Sequence, residues 1–227
     1  YDREWNVNCR GAWIMVLEVW KQIKKREIAP IYLLYGTEAF LINETKQLLL
    51  NQVLDEEDKD FNFTAFDLDV PPIETALEDA ETFPFLGEKK VIFLHNPKFL
   101  TAEKTKEKVD HNISRLESYI KEPAPYTVLV ISAPYEKLDE RKKITKELKR
   151  SAVTVEAKKL NEYELKNWVK ERAKVNGIVF DPEALELLIT LVGTNMFMIT
   201  SEVDKLALFS ADEKQINASM VEKLVSR

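Results

Sequence analysis

Apolar positions along this 227-residue chain switch repeatedly between two periods. Ile31-Tyr32-Leu33-Leu34-Tyr35 is a short unbroken apolar run that stops at Gly36-Thr37. From Glu38 onward, Phe40, Leu41, Thr45, Leu48 and Leu49 recur at three- and four-residue spacing, the mark of a helix with one buried face. The segment reads as strand, tight turn and helix, with Thr37 as the helix N-cap. Phe61-Asn62-Phe63-Thr64-Ala65-Phe66-Asp67-Leu68 alternates apolar with small or polar residues and predicts a second strand. Pro71-Pro72 opens a helix reaching Ala80, because proline suits a first turn. Val91-Ile92-Phe93-Leu94 is wholly apolar and belongs in the centre of a sheet. Val109, Ile113, Leu116 and Ile120 line one side of a predicted helix over 101–121. Tyr126-Thr127-Val128-Leu129-Val130-Ile131 is the most β-branched strand, residues 137–150 a basic helix, and Ala152-Val153-Thr154-Val155 a short fifth strand.

Strands alternating with helices predict an α/β fold, a parallel sheet of about five strands flanked by helices. Past residue 157 the strand signal stops. Asn161 and Glu164 form a capping box for a helix that ends near Asn176-Gly177. Asp181-Pro182 opens the next, with Ala184, Leu187, Leu188 and Leu191 on its face. Gly193-Thr194-Asn195 breaks it, a third helix reaches about Ser210, and a fourth starts near Asn217. The predicted organisation is an α/β domain over 15–157 and a small all-α lid domain over 158–227. Residues 1–14 read as an upstream extension, with Met15 the native start.

Composition narrows the function classes. Hydrophobic residues make up 45% of the chain, enough for a core without a disulfide or metal staple. The single cysteine, Cys9, excludes an internal disulfide framework and points to a reducing, cytoplasmic compartment. No apolar run approaches the roughly 18 residues of a membrane span. A net charge of −6 argues against holding nucleic acid by charge alone.

The strand, turn and helix at 31–50 sit where a nucleotide-binding fold places its phosphate loop. That loop needs G-x-x-x-x-G-K-[ST]: glycines bring amides around phosphates, lysine neutralises charge and the hydroxyl holds magnesium. Gly36, Thr37 and Glu38 are followed by Ala39-Phe40-Leu41-Ile42-Asn43-Glu44, with one glycine, no lysine and two carboxylates that repel a triphosphate. The third strand ends in His95-Asn96, not in the acidic residues that handle magnesium and water. With only His95 and His111 available, no His/Cys metal cluster assembles, and a G-x-S-x-G elbow is absent. Neither catalytic residues nor a cofactor are expected.

Three segments together resemble the delta-subunit family of the bacterial DNA polymerase III clamp loader. They are Ile31 through Glu44, as quoted; Thr82-Phe83-Pro84-Phe85-Leu86-Gly87-Glu88-Lys89-Lys90-Val91-Ile92-Phe93-Leu94; and Gly193-Thr194-Asn195-Met196-Phe197-Met198 with Glu202-Val203-Asp204-Lys205-Leu206-Ala207-Leu208. The resemblance implies a degenerate AAA+ fold, P-loop-like but without ATP hydrolysis of its own. The third segment resembles the helix that carries the sensor arginine in active AAA+ ATPases, and no arginine stands in it. Family members also carry a helical collar domain joining the loader's subunits, which is expected to lie outside this chain. The implied partners are the sliding clamp (beta subunit), the other clamp-loader subunits through the collar, and DNA within the holoenzyme, a nucleotidyltransferase.

In that family an apolar pair before the third strand inserts into a pocket on the clamp. The matching positions lie around Pro84 and Phe85, flanked by Phe83 and Leu86, and the pair is either Phe85-Leu86 or Phe83-Phe85. Read from the residues alone, alternation across Pro84 leaves room for one ring inward and the other outward. The basic segment offers Lys142, Lys143 and Lys146 as DNA or acidic-partner contacts, with Asp139, Glu140 and Glu147 interleaved against that role. Two rival readings remain: a small-molecule α/β enzyme with a pocket near Gly36, His95 and Ser132, or a nucleic-acid-binding adaptor with steep salt dependence.

Overall fold

The computed structural model describes residues 12–102, 109–210 and 214–225. They form two compact units, one ending at Lys159 and the other starting at Leu160. Cys9 and most of the expected extension over 1–14 lie outside the described residues.

The first unit runs α1 (Ala12–Lys24), β1 (Ile31–Gly36), α2 (Ala39–Val53), α3 (Glu56–Asn62), β2 (Phe63–Asp67), α4 (Ile73–Glu81), β3 (Lys90–His95), α5 (Ile113–Lys121), β4 (Thr127–Ala133), α6 (Lys143–Ser151) and β5 (Val153–Ala157). The five strands form one parallel sheet in the order β2-β3-β4-β1-β5. Every residue of β1 and β4 is buried, as continuous apolar runs require when helices cover both faces. Side chains alternate along each strand. Ile31, Leu33, Ile92, Leu94, Leu129 and Ile131 join one core with Leu77 of α4, Leu116 of α5, and Ile144 and Leu148 of α6. On the other face α1 and α2 pack on each other and on the sheet. There the buried Trp20 indole N–H donates to Thr45 Oγ1 at 2.7 Å, and the Thr45 hydroxyl donates to the Leu41 carbonyl at 2.7 Å. A threonine thus recurs at an apolar position because it satisfies a buried indole.

Several boundaries differ from those expected. The strand expected from Phe61 starts at Phe63, because Phe61 and Asn62 end α3. Glu56, Glu57 and Asp58 in the first turn of α3 complement its dipole and favour helix there. The helix expected over 101–121 is α5, starting at Ile113 after its N-cap Asn112 accepts from the Arg115 amide; residues 103–108 lie outside the described ones. The basic helix starts at Lys143 rather than 137. Leu138 is buried ahead of it, and the Asp139 amide donates to the Leu100 carbonyl at 2.8 Å, which holds the approach in a turn. Glu38, not Thr37, caps α2.

The second unit comprises α7 (Glu162–Val175), β6 (Val179–Phe180), α8 (Pro182–Val192), α9 (Met196–Phe209), β7 (Gln215–Ile216) and α10 (Ala218–Leu224). The Asn161/Glu164 capping box forms on both sides. On α8, Ala184, Leu185 and Leu188 are buried, so the inward stripe lies slightly off the predicted one at Leu187 and Leu191. The parallel pair β6–β7 gave no sequence signal, because two residues are too few to show alternation. Asp204 of α9 accepts from Arg172 of α7 at 3.0 and 2.7 Å and from Asn176 at 2.6 Å, tying the two helices together. Among the described residues no helix is long and apolar enough to cross a membrane.

Gly36 is tightly packed where β1 meets β5. Its φ is +127°, and a Cβ there would stand 2.2 Å from the Ala157 carbonyl oxygen. That neighbour is main chain in a sheet strand and has no rotamer to yield. Gly36→Ala is expected to lower unfolding free energy by about 3 kcal/mol or more, measured by denaturant titration.

Candidate functional site

The turn after β1 is closed by its own chain. The Glu38 amide donates to the Ala157 carbonyl at 2.9 Å, and the Phe40 amide donates to Glu38 Oε1 at 3.3 Å. A helix N-terminus presents free amides and a positive dipole end, the features that bind phosphate. Here the Glu38 carboxylate already takes that place on α2. Gly36, Thr37 and Glu38 are together in this turn, but one amide faces β5 and another faces a fixed negative charge.

At the end of β3, His95 lies beside Asp67 of β2 and Ser132 of β4 in strand register. Burial, and then the Lys46 ammonium, hold the His95 imidazole below its ordinary pKa, with Asp67 opposing. His111 is structural: its Nδ1 accepts from the Ile73 amide at the start of α4, at 3.1 Å. Among the described residues no cluster of three or more His, Cys, Asp or Glu side chains is placed to hold a metal.

Residues 82–89, between α4 and β3, form an irregular loop with a polar, anchored base and an apolar tip. Phe83 is 80% exposed, Phe85 75% and Leu86 43%, with Pro84 half-buried between the rings. The expectation of one ring inward and one outward fails. The chain here is not a strand, so two-residue alternation does not govern it, and both rings face solvent. Phe85 stacks on Phe61 of α3, ring centroids 5.5 Å apart, and Phe83 lies 4.7 Å from the Tyr126 ring.

The base is fixed by a set of polar bonds centred on a buried lysine. Lys90, only 5% exposed, directs its ammonium to the Asp79 carboxylate at 2.6 Å, the Asp79 carbonyl at 2.8 Å and the Thr82 hydroxyl at 2.9 Å. Three donors meet three acceptors, which is what a buried ammonium requires. The last carbonyls of α4 receive hydroxyls: Tyr126 donates to Glu81 and Thr127 to Ala80, both at 2.6 Å. Lys89 donates to the Pro125 carbonyl at 2.7 Å. Asn62, Phe61 and Tyr126, all part of this arrangement, were not singled out in the sequence. An asparagine at a helix end and an aromatic beside a strand carry no periodicity that marks them.

The sequence profile of the DNA polymerase III delta subunit matches residues 32–158, more than half of the chain, and a profile described as a middle domain matches 161–223. The chain belongs to the DNA polymerase III delta subunit family. It is 49% identical over 213 residues to the DNA polymerase III subunit delta of Bacillus subtilis, covering 94% of this chain and 61% of that protein. It is 24% identical over 197 residues to a probable DNA polymerase III subunit delta of Aquifex aeolicus, covering 86% and 54%. The solved structure of the Bacillus subtilis DNA clamp loader delta protein superposes with a TM-score of 0.87 at 48% identity, covering 93% of this chain and 62% of that one. The chain therefore spans between about half and three fifths of the length of these relatives.

On this delta-family chain several basic side chains of the segment are engaged within the chain itself. Lys142 donates to the Phe99 carbonyl at 2.8 Å, and Lys143 pairs with Glu117 at 2.6 Å. Arg141 pairs with Asp139 at 2.9 Å and Lys149 with Glu140 at 2.5 Å. Lys146 is exposed. The three lysines therefore do not converge on one unshielded patch.

The His95 environment gives a pH signature. A histidine whose folded pKa lies below its unfolded value binds fewer protons folded than unfolded. Its stabilising contribution is complete above about pH 6.5, the unfolded pKa, and is lost as pH falls through the lower folded value. His95→Gln is expected to show a smaller loss of stability between about pH 7 and 5 than the parent, in urea titrations at each pH.

Proposed function

We propose that this chain is the clamp-binding part of a clamp-loader delta subunit, with Phe83, Phe85 and Leu86 docking into an apolar pocket of the sliding clamp. The observation that carries the reading is a set of large apolar side chains held in solvent on a loop with a buried polar base. Aromatic anchors in a partner's pocket dominate protein–protein affinity, and a pre-ordered loop loses little freedom on docking. Pro84 between the rings stiffens the tip further. Of the two candidate pairs, Phe85-Leu86 is supported by adjacency and by the stack that orients Phe85.

The action is binding rather than chemistry. A protein that binds the open clamp more tightly than the closed ring shifts that equilibrium by its differential affinity. The Glu38 carboxylate on α2 supports a first turn that takes no triphosphate, so ATP acts elsewhere in the loader. Contacts with other loader subunits are assigned to the collar domain implied by the family, and DNA is met within that assembly.

The enzyme reading is less well supported. A shallow cavity of about 730 Å³ lined by Pro30, Leu54, Gly87, Lys89 and Thr127 opens at the amino ends of β1 and β4. Parallel sheets bind substrates at the carboxyl ends of their strands. The pairing of Lys143, Lys149 and Arg141 with carboxylates likewise weighs against a DNA-binding helix.

Phe85→Ala is expected to weaken binding to the purified beta clamp by about 2 kcal/mol, roughly thirtyfold, in surface-immobilised titration. Its unfolding free energy should change by about 1 kcal/mol at most, since the ring's contact is a single exposed stack. Unchanged clamp affinity in this folded variant would remove Phe85 from the site. Parallel Phe83→Ala and Leu86→Ala variants identify the second member of the pair.

A further inference from the structure

The main chain of the apolar tip is held by a residue 23 positions earlier. Asn62 ends α3 and is 1% exposed, although its side chain is polar. Its carboxamide oxygen accepts from the Phe85 amide at 2.9 Å and the Leu86 amide at 3.5 Å, and its Nδ2 donates to the Leu86 carbonyl. A primary carboxamide is a side-chain copy of the peptide unit, with one acceptor edge and one donor edge. Asn62 thereby pairs with residues 85 and 86 much as a peptide unit of a neighbouring strand would.

Two more residues of α3 touch the same stretch. The Phe61 ring, itself 57% exposed, stacks on Phe85 at an interplanar angle of 26°. Gly87 adopts φ +64°, and a Cβ there would lie 2.7 Å from Asp58 Oδ2. Three consecutive loop residues, Phe85, Leu86 and Gly87, thus meet Phe61, Asn62 and Asp58 in turn.

We propose that Asn62 is a positioning residue that presets the docking conformation of Phe85 and Leu86, and that Phe61 extends the docking face by supporting the Phe85 ring. This rests on the docking reading of the loop. An apolar residue of similar size at position 62 would fill the space but leave two amides and a carbonyl without partners. Ordering the main chain of two residues before the clamp arrives removes that loss from the binding step, on the order of ten- to hundredfold in affinity.

The test uses the full chain as Asn62→Leu, Asn62→Asp and Phe61→Ala, each alone and combined with Phe85→Ala. Amide hydrogen exchange in the free protein and affinity for the purified beta clamp are the two readouts. Asn62→Leu is expected to speed exchange at Phe85 and Leu86 by about tenfold or more while β3 and β4 amides stay unchanged, and to weaken clamp binding about tenfold. That loss should shrink in the Phe85→Ala background to the part carried by Leu86, because Asn62 acts through the docking residues. Asn62→Asp keeps the acceptor but sets an oxygen against the Leu86 carbonyl. It should retain protection at the Phe85 amide yet still weaken binding, and it decides the matter if the leucine variant does not fold. Phe61→Ala should weaken binding severalfold with little change in exchange. Unchanged exchange at Phe85 and Leu86 in Asn62→Leu, faster exchange there with undiminished clamp affinity, or undiminished clamp affinity in Asn62→Asp would overturn the positioning role. Failure of the unmodified protein to bind the clamp would instead overturn the docking reading, leaving the exchange result as a separate fact about the loop.

Discussion

The buried ammonium of Lys90 sits where α4 ends and β3 begins, and it bonds to both sides of that junction. Its partners, Asp79 and Thr82, belong to the end of α4 and the base of the apolar loop, while Lys90 itself is the first residue of a buried strand. A charge in that position is tolerable only with every donor satisfied, so the geometry of the junction admits little variation. With Tyr126 and Thr127 closing the last carbonyls of α4, the base of the loop becomes an extension of the sheet. This permits three large apolar side chains to stand in water without collapsing onto the surface.

The loop is held a second time from α3. The base is tied through side chains that meet main-chain carbonyls, and the tip through the Asn62 carboxamide. The Phe61 ring then lies against Phe85 from outside the loop. These are different kinds of restraint, polar below and mixed above, and together they account for an exposed aromatic cluster with a defined shape. A surface of this kind is suited to insertion into a partner's cavity, which is how the delta-family membership of the chain becomes a physical proposal about residues 83–86.

The first turn of the sheet shows the complementary economy. Strand, glycine and helix N-terminus are the parts from which phosphate sites are made, yet the donors are spent internally. The Glu38 amide is bonded to β5 and its carboxylate caps α2. Gly36 is retained for a packing reason, since the Ala157 carbonyl leaves no room for a Cβ. Parts that elsewhere bind phosphate are here bonded to the chain's own main chain and side chain.

Much of this was readable in order along the chain. The five strands appear as apolar or alternating runs, and the buried face of α2 at Phe40, Leu41, Thr45 and Leu49 follows from period alone. The family resemblance, and not the residues alone, pointed to 83–86. What could not be read locally was every feature that depends on a distant partner. The start of α6 was displaced by the turn that the Asp139 amide pins to Leu100, and the direction of Phe83 was decided by Tyr126 across the fold. Asn62 is a plain polar residue until folding brings it to Phe85 and Leu86. Periodicity is a property of neighbours in sequence, and it determined the elements. The pairing of a buried polar group is a property of neighbours in space, so only the tertiary structure decided which residues shape the apolar loop.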